Sequence, residues 1–341
     1  MKKTDDFPYY MTRFFESYLP GSRNVSGNTI LSYRDTFSKL LVYMRDNRSI
    51  EPDKVRIKYL DNETIGDFLA YLEDDQKCSL STRNQRLASL KSFFRFVEVE
   101  RPDLLLQCQS IIAIRNKSAP KPVIEYLDHD EMKLLLEQPD RSSHKGRRDL
   151  AILELMYDSA ARVQEICDLN VRDVKLKSSP IIRVFGKGRK TRDIPLDGPC
   201  VDTLRNYMNE YHLNRTEMLD TPLFFNNRHE KLSRSGISFI LSKYIERANE
   251  NGGSISKKIT PHCIRHTKAM HMVEAGINLI YIRDFLGHES IDTTQVYAKA
   301  NPEVRRNAIN KMSEKVSASS SKESDWNDDP GIMDFLHGIR K

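Results

Sequence analysis

The chain has 341 residues, an ordinary apolar content and a formal net charge of +6, which suggests two domains plus a tail with enough apolar side chains to bury a core in each. Five cysteines stand singly, with no CxxC pair among them. That excludes a disulfide framework and points to reduced thiols in a cytoplasmic protein. No apolar run approaches membrane-spanning length, and none follows Met1-Lys2-Lys3 as a signal peptide would. The tail Val316–Lys341 holds three basic and five acidic residues, so the remainder carries +8, an excess that permits nucleic-acid binding without demanding it.

The first 116 residues read as a helical domain. Ile30, Tyr33, Phe37, Leu40 and Met44 recur at three- and four-residue steps; so do Ile65, Phe68, Leu69 and Leu72, and again Leu87, Leu90, Phe94 and Val97. Each set is one apolar stripe of an amphipathic helix. Asn62 and Ser81 stand where caps are expected, and a further helix is expected over about 102–114. Residues 117–125 read as a linker, because Asn116-Lys117-Ser118-Ala119-Pro120-Lys121-Pro122 has two prolines and no periodicity.

A second domain is expected over 126–315. Asp128 caps a helix through Glu137, and another helix carries Leu150, Leu153, Leu155 and Met156. Ile181–Phe185, then Gly186-Lys187-Gly188-Arg189-Lys190, then Thr191–Pro195 reads as strand, turn, strand: a β-hairpin with a basic tip. The rest reads as mainly helical. Residues 316–341 are expected to be a flexible tail, whose short apolar segment Gly331–Leu336 is either a frayed end or a segment that docks on a neighbouring subunit.

Singly, the polar residues of the second domain have bland readings. Arg162 suits a helix surface, paired with Glu165. Lys187, between two glycines, suits a solvated turn, although Arg189, Lys190 and Arg192 beside it repel one another unless an anion is present. His262 and His266 have the four-residue spacing of metal ligands, but Cys263 stands where a zinc protease has glutamate and Arg265 repels a cation, so no metal is expected. Tyr297 is one tyrosine among fourteen. Together these residues suit phosphoryl transfer. Two arginines can grip the non-bridging oxygens of a phosphodiester, where the transition state gathers negative charge. A tyrosine hydroxyl can attack phosphorus, and a lysine can protonate the departing oxygen. No cofactor is needed.

In chain order, Arg162-Val163-Gln164-Glu165-Ile166, Gly186-Lys187-Gly188, His262-Cys263-Ile264-Arg265-His266, Leu286-Gly287-His288 and Tyr297 resemble the motifs of the tyrosine recombinase (phage integrase) family, of the simple two-domain type. The resemblance implies a mainly α fold with a small β-hairpin or sheet in the catalytic domain, and a two-domain C-shaped clamp on double-stranded DNA. It implies that Arg162 and Arg265 bind the scissile phosphate, that Lys187 is the general acid, that His262 assists proton transfer at the nucleophile, that His288 hydrogen-bonds the phosphate and that Tyr297 attacks. Glu165 and His266 are expected to support the site. Arg83, Arg86, Lys117, Lys121, Arg189 and Lys190 are the expected DNA contacts. The family works as a homotetramer on two DNA sites, in some cases with a DNA-bending protein or a partner recombinase, and such an enzyme belongs on the nucleoid. One departure is visible: Ala160 and Ala161 occupy a turn where many members have glycine. Integration or transposition of a mobile element is the preferred role, with chromosome-dimer resolution or inversion as the runner-up. A type IB topoisomerase and a non-catalytic DNA-binding regulator are the rivals of other classes.

Overall fold

A computed structural model describes residues 7–23, 25–118, 123–186 and 191–300. The expectations placed on Lys121, Lys187, Arg189, Lys190 and the tail segment Gly331–Leu336 therefore lie outside the described residues. The chain divides into two compact units, Met1–Pro122 and Val123–Lys341. Each has its own hydrophobic core.

The first unit is helical. Helix α1 (Phe7–Arg13) continues in wider turns over Phe14–Ser22 and is followed by α2 (Gly27–Arg48), α3 (Asn62–Asp74), α4 (Leu80–Glu100) and α5 (Leu105–Ile112). The apolar stripes are what these helices bury: Phe37, Leu40 and Met44 of α2, Ile65 to Leu72 of α3, and Leu87 to Val97 of α4 line one core. Phe7, Phe14 and Phe37 meet Phe93 edge-on, with ring centroids 5.2–5.4 Å apart, the arrangement that opposed ring quadrupoles favour. The caps differ from those expected. Asp61 accepts from the Thr64 N–H at 2.8 Å, and Ser79 from the Thr82 N–H at 3.2 Å. Asn62 and Ser81 already lie inside the first turn, where the side chain cannot reach back to the orphan amides.

The second unit runs α6 (His129–Glu137), α7 (His144–Ser159), α8 (Val163–Asp168), then the strands β1 (Val174–Lys175), β2 (Ile181–Phe185) and β3 (Thr191–Pro195), and then α9 (Gly198–Glu210), α10 (Arg234–Glu250), α11 (Pro261–Glu274), α12 (Leu279–Leu286) and α13 (Asp292–Ala300). Asp128 and Glu131 form a reciprocal capping box at the start of α6. The hairpin pairs antiparallel from Ile181 opposite Pro195 to Phe185 opposite Thr191. Ile182, Val184 and Ile194 face the core, while Arg183 and Asp193 pair across the outer face at 2.8 Å. The sheet has a third strand that the sequence reading did not anticipate, because β1 has only two residues, too few to show alternation. Among the described residues no helix is long and apolar enough to cross a membrane.

Candidate active site

Helix α7 ends at Ala160, whose backbone is left-handed at φ 44°. This turn reverses the chain, so that Arg162 emerges at the start of α8. Left-handed backbone costs an L-residue about 1–2 kcal/mol, which gives the glycine common at this turn in the family a physical purpose. Here alanine is held there fully buried. The strained turn also aims the Ala160 carbonyl at Arg265, which donates to it through Nη1 at 2.7 Å; Nη2 donates to the Leu286 carbonyl, also at 2.7 Å.

Arg265 is thus a buried guanidinium, 2% exposed, seated on the carbonyl ends of two helices, α7 and α12. Helix C-termini carry roughly half a negative charge each, so they partly offset the buried cation without neutralising it. Burial, then Arg162 and Arg192, push its pKa down to about 10. It remains charged at neutral pH, with three N–H groups on the fork beyond those two bonds.

Glu165 is the carboxylate between the cations. Arg162 donates to it from its backbone N–H at 2.8 Å and from Nη1 at 2.9 Å. Arg192 grips it with both terminal nitrogens, at 3.0 and 2.8 Å. Burial alone would raise the Glu165 pKa, but these donors outweigh it and hold the carboxyl below its usual range. Arg192, from β3, was seen in the sequence only as one of a basic run and was not assigned to the site. The Arg192 Nε is buried without a hydrogen-bond partner.

Gly287 closes α12 in the left-handed conformation at φ 65°, and a Cβ there would lie 3.0 Å from the Arg192 side chain. The turn delivers His288, whose Nδ1 shares a hydrogen bond with the Thr294 hydroxyl at 3.0 Å. Burial, Arg265 and Arg162 push His288 down to about 4, so it is neutral at pH 7. Its ring lies nearly parallel to that of Tyr297, with centroids 6.4 Å apart. Arg162, Arg192, Gly287, His288 and Thr293 line one cavity of about 560 Å³.

Tyr297, on α13, is 3% exposed. Burial raises its hydroxyl pKa, against a smaller opposing pull from Arg265. The histidine on this hydroxyl is not the one expected. His266 Nδ1 lies 2.8 Å from the Tyr297 oxygen, whereas His262 packs edge-on against the His266 ring at 4.3 Å. The two histidines are one helical turn apart on α11, so only the inner one reaches α13. Burial, then His262 and Arg265, push His266 down to about 4. His262, at the solvent-facing lip, is held below its usual value by partial desolvation and by Arg265 and Arg162.

In the first unit, two expected DNA contacts are otherwise engaged. Arg83 is buried and pairs with Glu73 at 3.1 Å; Arg86 is mostly covered and pairs with Asp35 at 3.1 Å. The same α4 face that bears them packs against α2 and α3, so their charge is spent internally. Lys117 is half exposed, 2.9 Å from the opposite side of Glu73.

Residues 125–303 match the model described as Phage integrase family, and residues 13–101 match the one described as Phage integrase, N-terminal SAM-like domain. The chain belongs to the phage integrase family. Its relatives within this tyrosine recombinase family include a Sinorhizobium fredii (strain NBRC 101917 / NGR234) protein named as an integrase/recombinase, y4rC, 34% identical over 96% of both chains. A tyrosine recombinase XerD of Staphylococcus epidermidis is 33% identical over 89% of this chain and 97% of its own. A tyrosine recombinase XerC of Syntrophus aciditrophicus is 32% identical over 83% and 90%. Among solved folds, an integrase of the Tn1549 transposon in complex with circular intermediate DNA superposes with a TM-score of 0.66 at 17% identity, covering 88% of this chain and 98% of that one. A XerH recombinase bound to palindromic difH superposes with a TM-score of 0.65 at 20% identity, covering 86% and 83%. The mainly helical phage integrase fold with its small sheet is therefore shared, and the chain is a site-specific tyrosine recombinase.

Proposed function

We propose that this recombinase cuts and rejoins double-stranded DNA through Tyr297 and serves the integration or transposition of a mobile element. The observation that carries the chemistry is the convergence of Arg162, Arg265, His288 and Tyr297. They come from four separate helix ends or helices, yet Arg162 and His288 line one cavity with Arg192, Arg265 is bonded to the Leu286 carbonyl just before His288, and the Tyr297 ring lies 6.4 Å from the His288 ring.

In this reading a scissile phosphate enters the cavity. Arg162 and Arg265 bind its non-bridging oxygens, where fixed donors stabilise the charge that grows in the transition state. His288, neutral at pH 7, donates a hydrogen bond from its free ring nitrogen. The Tyr297 oxygen attacks phosphorus, forming a 3′-phosphotyrosyl ester and breaking the bond to the 5′-oxygen, which takes a proton from Lys187. Attack by a 5′-hydroxyl of the partner strand reverses the step, so bond energy is conserved and no cofactor is consumed. Strand exchange proceeds through a Holliday junction between two sites held by four protomers.

The Tyr297 proton needs an acceptor. A ring titrating near 4 cannot take a phenol proton in the resting state, because burial holds the Tyr297 hydroxyl above its usual value and the transfer runs steeply uphill. His266 therefore anchors the hydroxyl rather than deprotonating it. A bound phosphate adds negative charge beside both histidines and raises their pKa values, moving His262 and His266 towards proton acceptance only when substrate is present. Access of the Tyr297 hydroxyl to the phosphate is part of activation, because Tyr297 is almost fully buried at rest.

A grip on the duplex by both domains is part of the same proposal, with Lys117, Lys121, Arg189 and Lys190 as phosphate contacts. The integrase/recombinase relative that matches over 96% of both chains supports a mobile-element role. The XerC- and XerD-named relatives keep chromosome-dimer resolution as the second reading. The chemistry is tested on a nicked suicide substrate carrying the recombination site. Wild-type protein is expected to form a covalent protein–DNA adduct and Tyr297→Phe none. An adduct that survives in Tyr297→Phe would remove Tyr297 as the nucleophile.

A further inference from the structure

Away from the active site, the last turn of α11 meets the first turn of α6. His271 and Glu274 are three residues apart and share one face of α11. His129, the first residue of α6, stacks on His271 with ring centroids 3.7 Å apart and planes 14° from parallel. Its Nε2 lies 3.6 Å from Glu274 Oε2. One ligand atom from each of the three residues falls within 4.8 Å of the other two.

An independent observation points to a ligand here. His271 is 5% exposed, and its Nδ1 is 2.9 Å from the Tyr157 hydroxyl, but its Nε2 is buried and no hydrogen bond of normal geometry reaches it. A buried ring nitrogen without a partner is costly unless something binds it.

We propose that His129, His271 and Glu274 form a zinc-type transition-metal site that fastens the start of α6 to the end of α11. Two imidazoles and one carboxylate suit zinc, with a water completing a tetrahedron, and do not suit magnesium or calcium, which take oxygen ligands. The second shell fits. With Nδ1–H donating to the Tyr157 oxygen, His271 presents its Nε2 lone pair to the metal, the usual arrangement around a ligating histidine. Burial, then the His129 ring, push His271 down to about 4, outweighing the Leu127 backbone, which favours a proton on the ring. The ligand is thus already deprotonated at neutral pH.

Closing the site requires ligand atoms about 3.3 Å apart, as bonds of about 2.0–2.1 Å dictate. His129 and Glu274 are exposed residues, so closing the site asks their side chains to shift while His271 stays fixed. The ammonium of Lys268 lies near His271 and opposes a cation, but its charge is engaged by Asp158 at 3.0 Å. The rival pair, His262 and His266, is a poorer site, because His266 Nδ1 is taken by Tyr297 and Arg265 adjoins both rings. The metal would lie at the opposite end of α11 from the catalytic residues, so its effect is on stability rather than on the reaction.

The test uses the untagged full-length chain, stripped with a chelator. Calorimetric titration with zinc chloride is expected to show one ion bound per chain and a raised Tm, with no response to magnesium. His129→Ala and Glu274→Gln change surface side chains and should leave the fold intact. Each is expected to weaken zinc binding by at least about tenfold and to abolish the Tm rise. Cobalt in place of zinc should give the visible absorption of a four-coordinate ion in the wild type and not in either variant. The proposal is overturned if stripped protein binds no zinc, if both variants bind it as tightly as the wild type, or if binding is lost in His262→Asn instead.

Discussion

At the residue scale, the feature that most distinguishes this site is how Arg265 is held. Most buried arginines face a carboxylate. Arg265 instead spends two N–H groups on the Ala160 and Leu286 carbonyls, while Glu165 is claimed by Arg162 and Arg192. Three arginines thus stand close to one carboxylate, a set of fixed donors that suits an anion, although Asp284 and Glu289 also line the cavity. The arrangement depends on the planar fork, which a lysine ammonium cannot reproduce. Arg265→Lys keeps the charge but leaves at least one helix-end carbonyl without its donor, at a cost of about 1–3 kcal/mol. It also loses the paired grip on phosphate. Adduct formation on the suicide substrate is expected to slow by about a hundredfold or more, with a lower urea midpoint. A variant that cleaves at the wild-type rate would show that the fork is not needed.

At the element scale, Arg162 and His288 stand at helix ends while Arg265 and Tyr297 lie within helices, and this decides what could be read from the sequence. The apolar stripes of α2, α3 and α4, the capping box of α6 and the β2–β3 hairpin were legible because each is a local pattern of period or turn chemistry. Arg162, Arg265, His288 and Tyr297 were legible only as an ordered set, since each alone has a commonplace reading. What could not be read is contact across distance: that His266 rather than His262 meets the Tyr297 hydroxyl, that Arg192 returns from β3 to Glu165, and that Arg83 and Arg86 are spent on Glu73 and Asp35. The caps were misplaced by one and two residues because side-chain reach, not residue type, chooses among neighbouring polar residues. The turn between α12 and His288 carries an element-scale prediction. Gly287→Ala places an L-residue in left-handed backbone, costing about 1–2 kcal/mol, and sets its Cβ 3.0 Å from Arg192, which two bonds to Glu165 hold in place. Urea unfolding should show a loss above the backbone cost alone. The excess should vanish when the same change is made in an Arg192→Ala background.

At the scale of the whole molecule, the two units differ in a way that composition makes testable. All nine histidines lie beyond Pro122, so the first unit has none. In the second, His266, His271 and His288 are each pushed down to about 4, chiefly by burial. An unfolded chain binds a proton on each of these histidines below about pH 6.5, whereas the folded unit binds none until about pH 4, so the unfolded state holds more protons throughout that window. The stability due to keeping these rings neutral is therefore fully present above pH 6.5 and is lost as the pH falls towards 4. At pH 5 the loss is of the order of 2 kcal/mol per histidine. Chelator-treated protein should accordingly show a second-unit melting transition that falls steeply between pH 7 and pH 5. The first-unit transition should move much less over the same range, because carboxylates titrate mostly below it. Limited proteolysis at pH 5 should then cut within residues 123–300 before it cuts within 7–118. Equal acid sensitivity of the two units would mean that the histidines of the active-site unit are not kept neutral by burial, and with it the resting state in which His266 only anchors the Tyr297 hydroxyl would fall.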